Sequence, residues 1–188
     1  MYKKIAFTVS LLMLCVYVND VAAQQRRDGF RIPNLAMETN AFEDGGIIPD
    51  KYTSRGGNVQ PGFTFSSPED GTVCYAIILH DIDVAFGGGT DDILHWLAWN
   101  IPASAGGIPE GSLPEGSVVG TNLMRQNAYM GPGAPPGKLH HYVFDLYALN
   151  AKLDLPPTAG RKELLEAMQG KVIGGRSSFA FSAYRSKT

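Results

Sequence analysis

The sequence predicts a mainly β protein, a β-sandwich-like domain with a few peripheral helices. Apolar residues occur in short runs that are rich in β-branched and aromatic side chains, and long turn-rich connections separate these runs. The chain also has 22 glycines and 12 prolines among its 188 residues. This composition favours a loop-rich β protein over a helical bundle, and the length suits a single domain with a processed end.

Four strands can be placed in order along the chain. Val73–Leu79 is continuously apolar, which predicts a central strand buried on both faces. The later predicted strands are His95–Ile101, His141–Leu149 and Ser178–Tyr184.

Side-chain alternation along the second of these strands predicts which residues share a face. It places three residues on one face, namely His95, Leu97 and Trp99, and it places Trp96 and Ala98 on the other.

One helix is predicted over Arg161–Gln169. Leu164, Leu165 and Met168 share one face at helical spacing, and Gly170 is a suitable residue to end the helix.

Residues 1–23 are predicted to be a secretory signal peptide. Lys3 and Lys4 precede the short apolar stretch Ile5–Val18, and Val21-Ala22-Ala23 resembles a cleavage site. The apolar stretch is shorter than the roughly 20 residues that a membrane-spanning helix needs. We therefore expect a periplasmic or secreted protein with no integral membrane segment after cleavage.

Residues 24–34 are polar and contain three arginines, so they are predicted to form a flexible arm before a single domain at 35–188. The formal net charge of −2 gives no indication of a nucleic-acid partner. Cys74 would be the one cysteine left after cleavage, and it lies inside an apolar run. It is therefore predicted to be a buried structural thiol rather than a nucleophile.

Polar residues at strand ends form the candidate site. We predict that one pocket collects Asp81, Asp83, His95, His140 and Tyr142. Alternation separates the two adjacent histidines, His140 toward this pocket and His141 toward solvent or the opposite face. The alternatives are that the aspartates cap turns and that the histidines are structural. The residue types alone do not distinguish a metal, an acid–base or an anion site.

Several motifs of known enzymes are absent from the sequence. It has no G-x-S-x-G elbow, no H-E-x-x-H, no phosphate-binding P-loop and no cysteine pair for zinc. Gly87-Gly88-Gly89 lacks the spacing of a dinucleotide-binding motif and is predicted to be a flexible loop.

Four segments together resemble the phosphatidylethanolamine-binding protein family, in particular its bacterial Raf-kinase-inhibitor-like branch. They are H-D-I-D-V-A at 80–85, H-W-L-A-W-N-I-P at 95–102, G-P-G-A-P-P-G at 131–137 and L-H-H-Y-V-F at 139–144. The resemblance implies a sandwich of two antiparallel sheets with a few helices, and a pocket that binds anions or phosphorylated head groups.

The resemblance also implies a role for individual residues. Asp81 and Asp83 would form one wall with His95 beside them, and His140 and Tyr142 would form the far wall. The implied rim and closing residues are Pro135, Pro136 and Tyr184. The chain departs from the family pattern where Ile82 and Ala85 replace prolines, where Ala134 replaces a glycine, and where His141 replaces a frequent arginine.

Two functions follow as expectations. The first is an exported small-molecule-binding protein whose pocket holds an anion or a phosphorylated head group. The second is an enzyme recruited from this fold, a lyase, cyclase or hydrolase in which Asp81, His95 and His140 transfer protons. Neither a metal nor another cofactor is expected. The expected partner is a small anionic or polar organic ligand, and the sequence is compatible with a homodimer.

Overall fold

The computed structural model describes residues 35–66, 70–85 and 91–183, with side chains described as far as Gly174. The predicted signal peptide (1–23), the predicted arm (24–34), the predicted loop at Gly87-Gly88-Gly89 and Tyr184 lie outside the described residues.

The described strands form two antiparallel sheets, which confirms the predicted fold class. The small sheet contains β1 (Ala36–Glu38), β2 (Phe63–Ser66) and β5 (Gly107–Ile108), in the order β1-β2-β5.

The large sheet has the strand order β6-β4-β3-β7-β8. Its members are β3 (Cys74–Ala85), β4 (Asp92–Pro102), β6 (Val118–Val119), β7 (His140–Leu149) and β8 (Val172–Ala183). All four predicted strands are therefore present, and each is longer than the apolar pattern indicated.

The helical parts of the described chain are short. The predicted helix is confirmed as α1 (Arg161–Met168), and Gly170 follows it with a φ of 72°, in the left-handed region that glycine favours. Single 3-10 turns cover Asp50–Tyr52 and Ala103–Ala105. No helix among the described residues is long and apolar enough to cross a bilayer.

The central strand of the large sheet is buried on both faces from Cys74 to Asp81, and this explains its unbroken apolar run. On its inner face Tyr75, Ile77 and Leu79 pack with residues of the small sheet. On its outer face Cys74, Ala76 and Ile78 pack with neighbours that include Leu164 and Met168 of α1. Because successive residues of β3 pack into apolar layers on opposite faces of the sheet, the sequence of the strand does not alternate between apolar and polar residues. The burial predicted for Cys74 is confirmed.

A β-bulge in β4 changes the face of His95. Leu79 of β3 is opposite Trp96, but the next residue, His80, is opposite Leu94, so His95 is an extra residue between the two pairs. The prediction that His95 shares a face with Leu97 and Trp99 is therefore wrong. Those two residues lie in the outer cluster, whereas His95 turns with Trp96 to the inner face.

Candidate functional site

A cavity of about 330 Å3 lies at the end of the large sheet where β3, β4 and β7 meet. Its polar lining consists of Ser54, Asp81, His95, His140 and Tyr142. Its apolar lining is larger and consists of Val84, Ile93, Leu123, Met130, Ala134 and Pro135. Gly131 and Gly133 complete the wall. A few convergent polar groups in a mostly apolar cavity are typical of a small-molecule site.

Asp81 and His140 form a buried pair in this cavity. Oδ2 of Asp81 lies 2.7 Å from Nδ1 of His140, and only 3% of Asp81 is exposed. A carboxylate can only accept a hydrogen bond, so Nδ1 of His140 carries the proton. Nε2 on the other edge of the ring is then left for a ligand. The second oxygen of Asp81, Oδ1, accepts the backbone N–H of Asp83 at 3.0 Å, which fixes the carboxylate.

His95 is held in a single tautomer by the backbone. Its Nδ1 lies 3.0 Å from the carbonyl oxygen of Met130, which can only accept, so Nδ1 donates and Nε2 has a free lone pair. Burial lowers the pKa of His95, because the charged ring would be desolvated, and the hydrogen bond to the Met130 carbonyl and the nearby charge of Asp81 offset this only in part. His95 therefore stays neutral at a pH where an ordinary histidine begins to take up a proton.

Tyr142 stands between the two histidines. Its ring meets the His95 ring edge-on, with centroids 5.1 Å apart, and is nearly parallel to the His140 ring, with centroids 6.4 Å apart. Its hydroxyl oxygen accepts the backbone N–H of Gly133 at 3.1 Å. Burial is the main cause that raises the pKa of Tyr142, so the phenol keeps its proton throughout the neutral range.

The segment G-P-G at 131–133 forms the outer wall because it lies directly against the backbone of residues 52–54. A Cβ on Gly131 would be 2.3 Å from the carbonyl oxygen of Tyr52, so no larger residue fits there. Ser54 N–H donates to the carbonyl of Pro132 at 2.9 Å, and Gly131 N–H donates to Oδ1 of Asn58 at 2.8 Å. These hydrogen bonds fix the Met130 carbonyl that orients His95.

Asp83 and His141 form a separate pair outside the cavity. Oδ2 of Asp83 lies 2.8 Å from Nδ1 of His141 and also accepts the His141 backbone N–H. The side chains are 37% and 57% exposed, respectively. Partial burial would raise the pKa of Asp83, but the hydrogen bonds from His141 outweigh it and lower the pKa. The two carboxylates therefore do not share one site, since Asp81 lines the cavity and Asp83 pairs with His141 outside it.

The structure brings together most of the predicted site residues. Those that line the cavity are Asp81, His95, Pro135, His140 and Tyr142. Asp83 and Pro136 are not among its lining residues. Sequence reasoning did not name Ser54, the apolar wall or the Met130 carbonyl. Ser54 lies outside the four segments that resemble the family, so none of them pointed to it.

The cavity offers two imidazoles, one carboxylate and no strong cation. None of the described residues that line it is Lys or Arg. Within the described part of the chain, no three His, Cys, Asp or Glu side chains are arranged to hold a metal ion. A larger cavity of about 420 Å3 lies at the small sheet, but no histidine lines it and its ionisable groups are Glu38, Tyr52 and Glu110. Proton exchange with a ligand is therefore better supported in the smaller cavity.

Comparison with known proteins agrees with this fold. The family model described as phosphatidylethanolamine-binding protein matches residues 38–181. This chain belongs to the phosphatidylethanolamine-binding protein family. A UPF0098 protein of Methanothermobacter thermautotrophicus is 39% identical over 145 residues, which cover 74% of this chain and 93% of that relative.

This chain is also similar to a mycobacterial protein in sequence and to a chlamydial protein in structure. A Mycobacterium tuberculosis protein named as lipoprotein LppC is 34% identical over 141 residues, which cover 74% of this chain and 68% of that protein. The crystal structure of a phosphatidylethanolamine-binding protein homologue from Chlamydia trachomatis has a TM-score of 0.73 and 27% identity, and the match covers 81% of this chain and 98% of that one. Proteins of this family generally bind ligands.

Proposed function

We propose that this protein binds a small organic molecule through an anionic or polar head group in the Asp81–His140 cavity. The observation that supports this most is the buried hydrogen bond between Asp81 and His140, which leaves Nε2 of His140 for a ligand in a mostly apolar cavity that His95 also lines. The head group would bind the two Nε2 atoms, and the apolar wall would contact the rest of the molecule.

The charge of the cavity defines which head groups suit it. Asp81 is negative, His95 is kept neutral by burial, and a cation arises only when an imidazole takes up a proton. A monoanion such as a carboxylate therefore suits the cavity better than a phosphate dianion. A phosphorylated head group would need both His95 and His140 to be protonated.

A second candidate function is acid–base catalysis on a small substrate. The observation that favours it is again the carboxylate at Nδ1 of His140, because such a pair fixes the ring and stabilises the imidazolium that forms when Nε2 takes a proton. His95, with its free Nε2, would be the second group in the proton transfer. A lyase, cyclase or hydrolase reaction on a neutral molecule would use this arrangement.

We also propose that the protein acts outside the cytoplasm, in the periplasm or after secretion. The signal-like sequence at residues 1–23 motivates this, and the name of the mycobacterial relative as a lipoprotein is consistent with export. The mass of the protein isolated from an exported fraction tests the proposal. An N-terminus near Gln24 supports it, and a full-length chain that stays inside the cell contradicts it.

Titration calorimetry with acetate, inorganic phosphate and phosphoethanolamine at pH 5.5 and pH 8 tests the binding function. We expect tighter binding at pH 5.5, since a bound anion stabilises the imidazolium and binding takes up protons. His140→Ala should weaken binding by about 1.5–3 kcal/mol, the usual range for a hydrogen bond to a charged group, and should flatten the pH dependence. His141→Ala is the matched control and should leave the affinity unchanged.

Native mass spectrometry of the protein purified from its own host separates the two candidate functions. Absence of binding to all three anions at both pH values, together with an uncharged organic molecule retained by the protein, would overturn the anion-binding proposal. If that molecule is then converted by the protein, His140→Ala and Asp81→Asn should abolish its turnover and leave its binding nearly unchanged.

A further inference from the structure

Four ionisable residues form a partly buried group on the outer side of the large sheet. This ion cluster consists of His80, Asp92, Asp145 and Arg161, from β3, β4, β7 and α1 respectively. Nδ1 of His80 lies 2.5 Å from Oδ2 of Asp92. Nε2 of His80 lies 3.3 Å from Oδ2 of Asp145, with the geometry of an ion pair rather than of a well-aligned hydrogen bond. Only 8% of His80 and 4% of Asp145 are exposed.

Both carboxylate oxygens and the backbone carbonyl oxygen of Asp92 have partners in the ion cluster. His80 contacts Oδ2, the Nη1 group of Arg161 donates to Oδ1, and Nη2 of Arg161 donates to the backbone carbonyl of Asp92 at 3.2 Å. The first residue of β4 is therefore tied both to β3 and to α1.

This attachment lies next to the bulge that turns His95 inward. His80 is opposite Leu94, and Leu79 is opposite Trp96, so the strand segment from Asp92 to Trp96 contains the extra residue. On the outer side this segment is held by the ion cluster. On the inner side Ile93 and His95 of the same segment line the cavity.

We propose that His80 is a positioning residue of the candidate site. By holding Asp92 it fixes the bulge in β4, and the bulge keeps the His95 side chain turned into the cavity. In this position Nδ1–H of His95 donates to the Met130 carbonyl. His80 is not among the lining residues of the cavity, so it would act through β4 and not by touching a ligand. The inference rests on the proposed function for the use of the cavity, but its geometric part can be tested without a ligand.

The charges in the ion cluster make this positioning dependent on pH. The charged groups that face His80 are Asp92, Asp145 and Arg161, and the Tyr147 hydroxyl lies 3.5 Å from Asp145 Oδ2. Burial alone would lower the pKa of His80, but the contacts with Asp145 and Asp92 outweigh it and raise the pKa. While His80 is protonated the cluster is neutral. When pH rises through the raised pKa, a negative charge is left uncompensated and the attachment of Asp92 weakens.

A direct electrostatic effect connects the two histidines as well. The pKa of His95 is lowered mainly by burial, and the positive charge of His80 lowers it further. Loss of the His80 proton should therefore change the titration of His95 even though the two side chains are on opposite faces of the sheet.

Nuclear magnetic resonance of the histidine rings in the full chain tests this inference. Two-bond 1H–15N spectra report the tautomer and the protonation state of each ring. In the wild type we expect His95 to be in the Nδ1–H tautomer alone. In His80→Gln and Asp92→Asn we expect loss of this single tautomer and a rise of the His95 pKa toward its ordinary value. His140, which is held by Asp81, is the internal control, and His141→Gln is the control variant.

An unchanged His95 tautomer and pKa in a folded His80→Gln protein would overturn the inference. If both variants fail to fold, a wild-type titration from pH 5 to pH 10 decides it. The His95 resonances should then show a second step at the pH where His80 loses its proton, and absence of that step contradicts the inference. Failure of all ligand binding in calorimetry would remove the proposed function but would leave these ring spectra unaffected.

Discussion

Asp81 and His140 form inside the cavity the same kind of pair that Asp83 and His141 form at the surface. The Oδ2–Nδ1 distances are 2.7 Å and 2.8 Å, so the two pairs differ mainly in their exposure to water. A buried charged hydrogen bond is costly to break, because the remaining group has no water to replace its partner, whereas an exposed ion pair contributes little. The exposed Asp83–His141 pair is therefore a control for the effect of burial on the energy of the Asp81–His140 pair.

Asp81→Asn and Asp83→Asn should consequently differ in their effect on stability. We expect Asp81→Asn to lower the free energy of unfolding by about 1.5–3 kcal/mol, the range for a hydrogen bond to a charged group. Asp83→Asn should change it by less than about 1 kcal/mol, as for a solvent-screened pair. Urea denaturation at pH 7 measures both. Equal losses for the two variants would show that burial does not distinguish the pairs.

The glycine at position 131 should be required by close packing. In Gly131→Ala the new Cβ would meet the Tyr52 carbonyl at 2.3 Å, and backbone would have to move. We expect a loss of about 1–3 kcal/mol, as for other overpacked sites, together with weaker ligand binding since Met130 is adjacent. Gly133→Ala is the control, because its Cβ would meet the Ser54 hydroxyl, a side chain that can rotate away. If Gly133→Ala were the more damaging change, the close-approach argument would be incorrect.

The fold could be predicted from the sequence because a strand with apolar layers on both faces, such as β3, has an unbroken run of apolar residues. The face of His95 could not be predicted in the same way. A bulge inserts one residue without a characteristic composition, so strict alternation gave the wrong face for His95, which lines the same cavity as Asp81 and His140. The Met130 carbonyl was not predictable either, because a backbone acceptor is present at every position. The pairing of Asp83 with His141 was not predictable from alternation, which places the Asp83 side chain on the same face as Asp81.

Cys74 should be inert toward thiol reagents in the native protein. It is fully buried, burial raises its pKa, and its Sγ lies 3.4 Å from the Ala151 carbonyl. Cys74→Ser should lower the free energy of unfolding by roughly 1–3 kcal/mol through burial of a hydroxyl group, and ligand binding should be unaffected. Labelling with a small maleimide before and after addition of urea measures the reactivity. Rapid labelling of the native protein would contradict the assignment of Cys74 as a structural thiol.

Burial of His95 should make the stability of the folded protein depend on pH. Burial lowers the pKa of this ring in the folded protein below the ordinary value of about 6.5, so at a pH between the two values the unfolded chain binds a proton that the folded protein does not. The contribution of neutral His95 to stability is therefore complete above about pH 6.5 and is lost as pH falls through the folded pKa.

His95→Gln should reduce this loss, because glutamine does not titrate. Denaturation curves at intervals from pH 4.5 to pH 8 for the wild type, His95→Gln and His141→Gln measure the effect. We expect the wild type and His141→Gln to lose stability in parallel below pH 6.5, while His95→Gln loses less. The lost hydrogen bond to the Met130 carbonyl lowers the stability of His95→Gln at every pH, so the slope against pH is the quantity to compare. A wild-type slope that persists in His95→Gln would assign the acid sensitivity to another group.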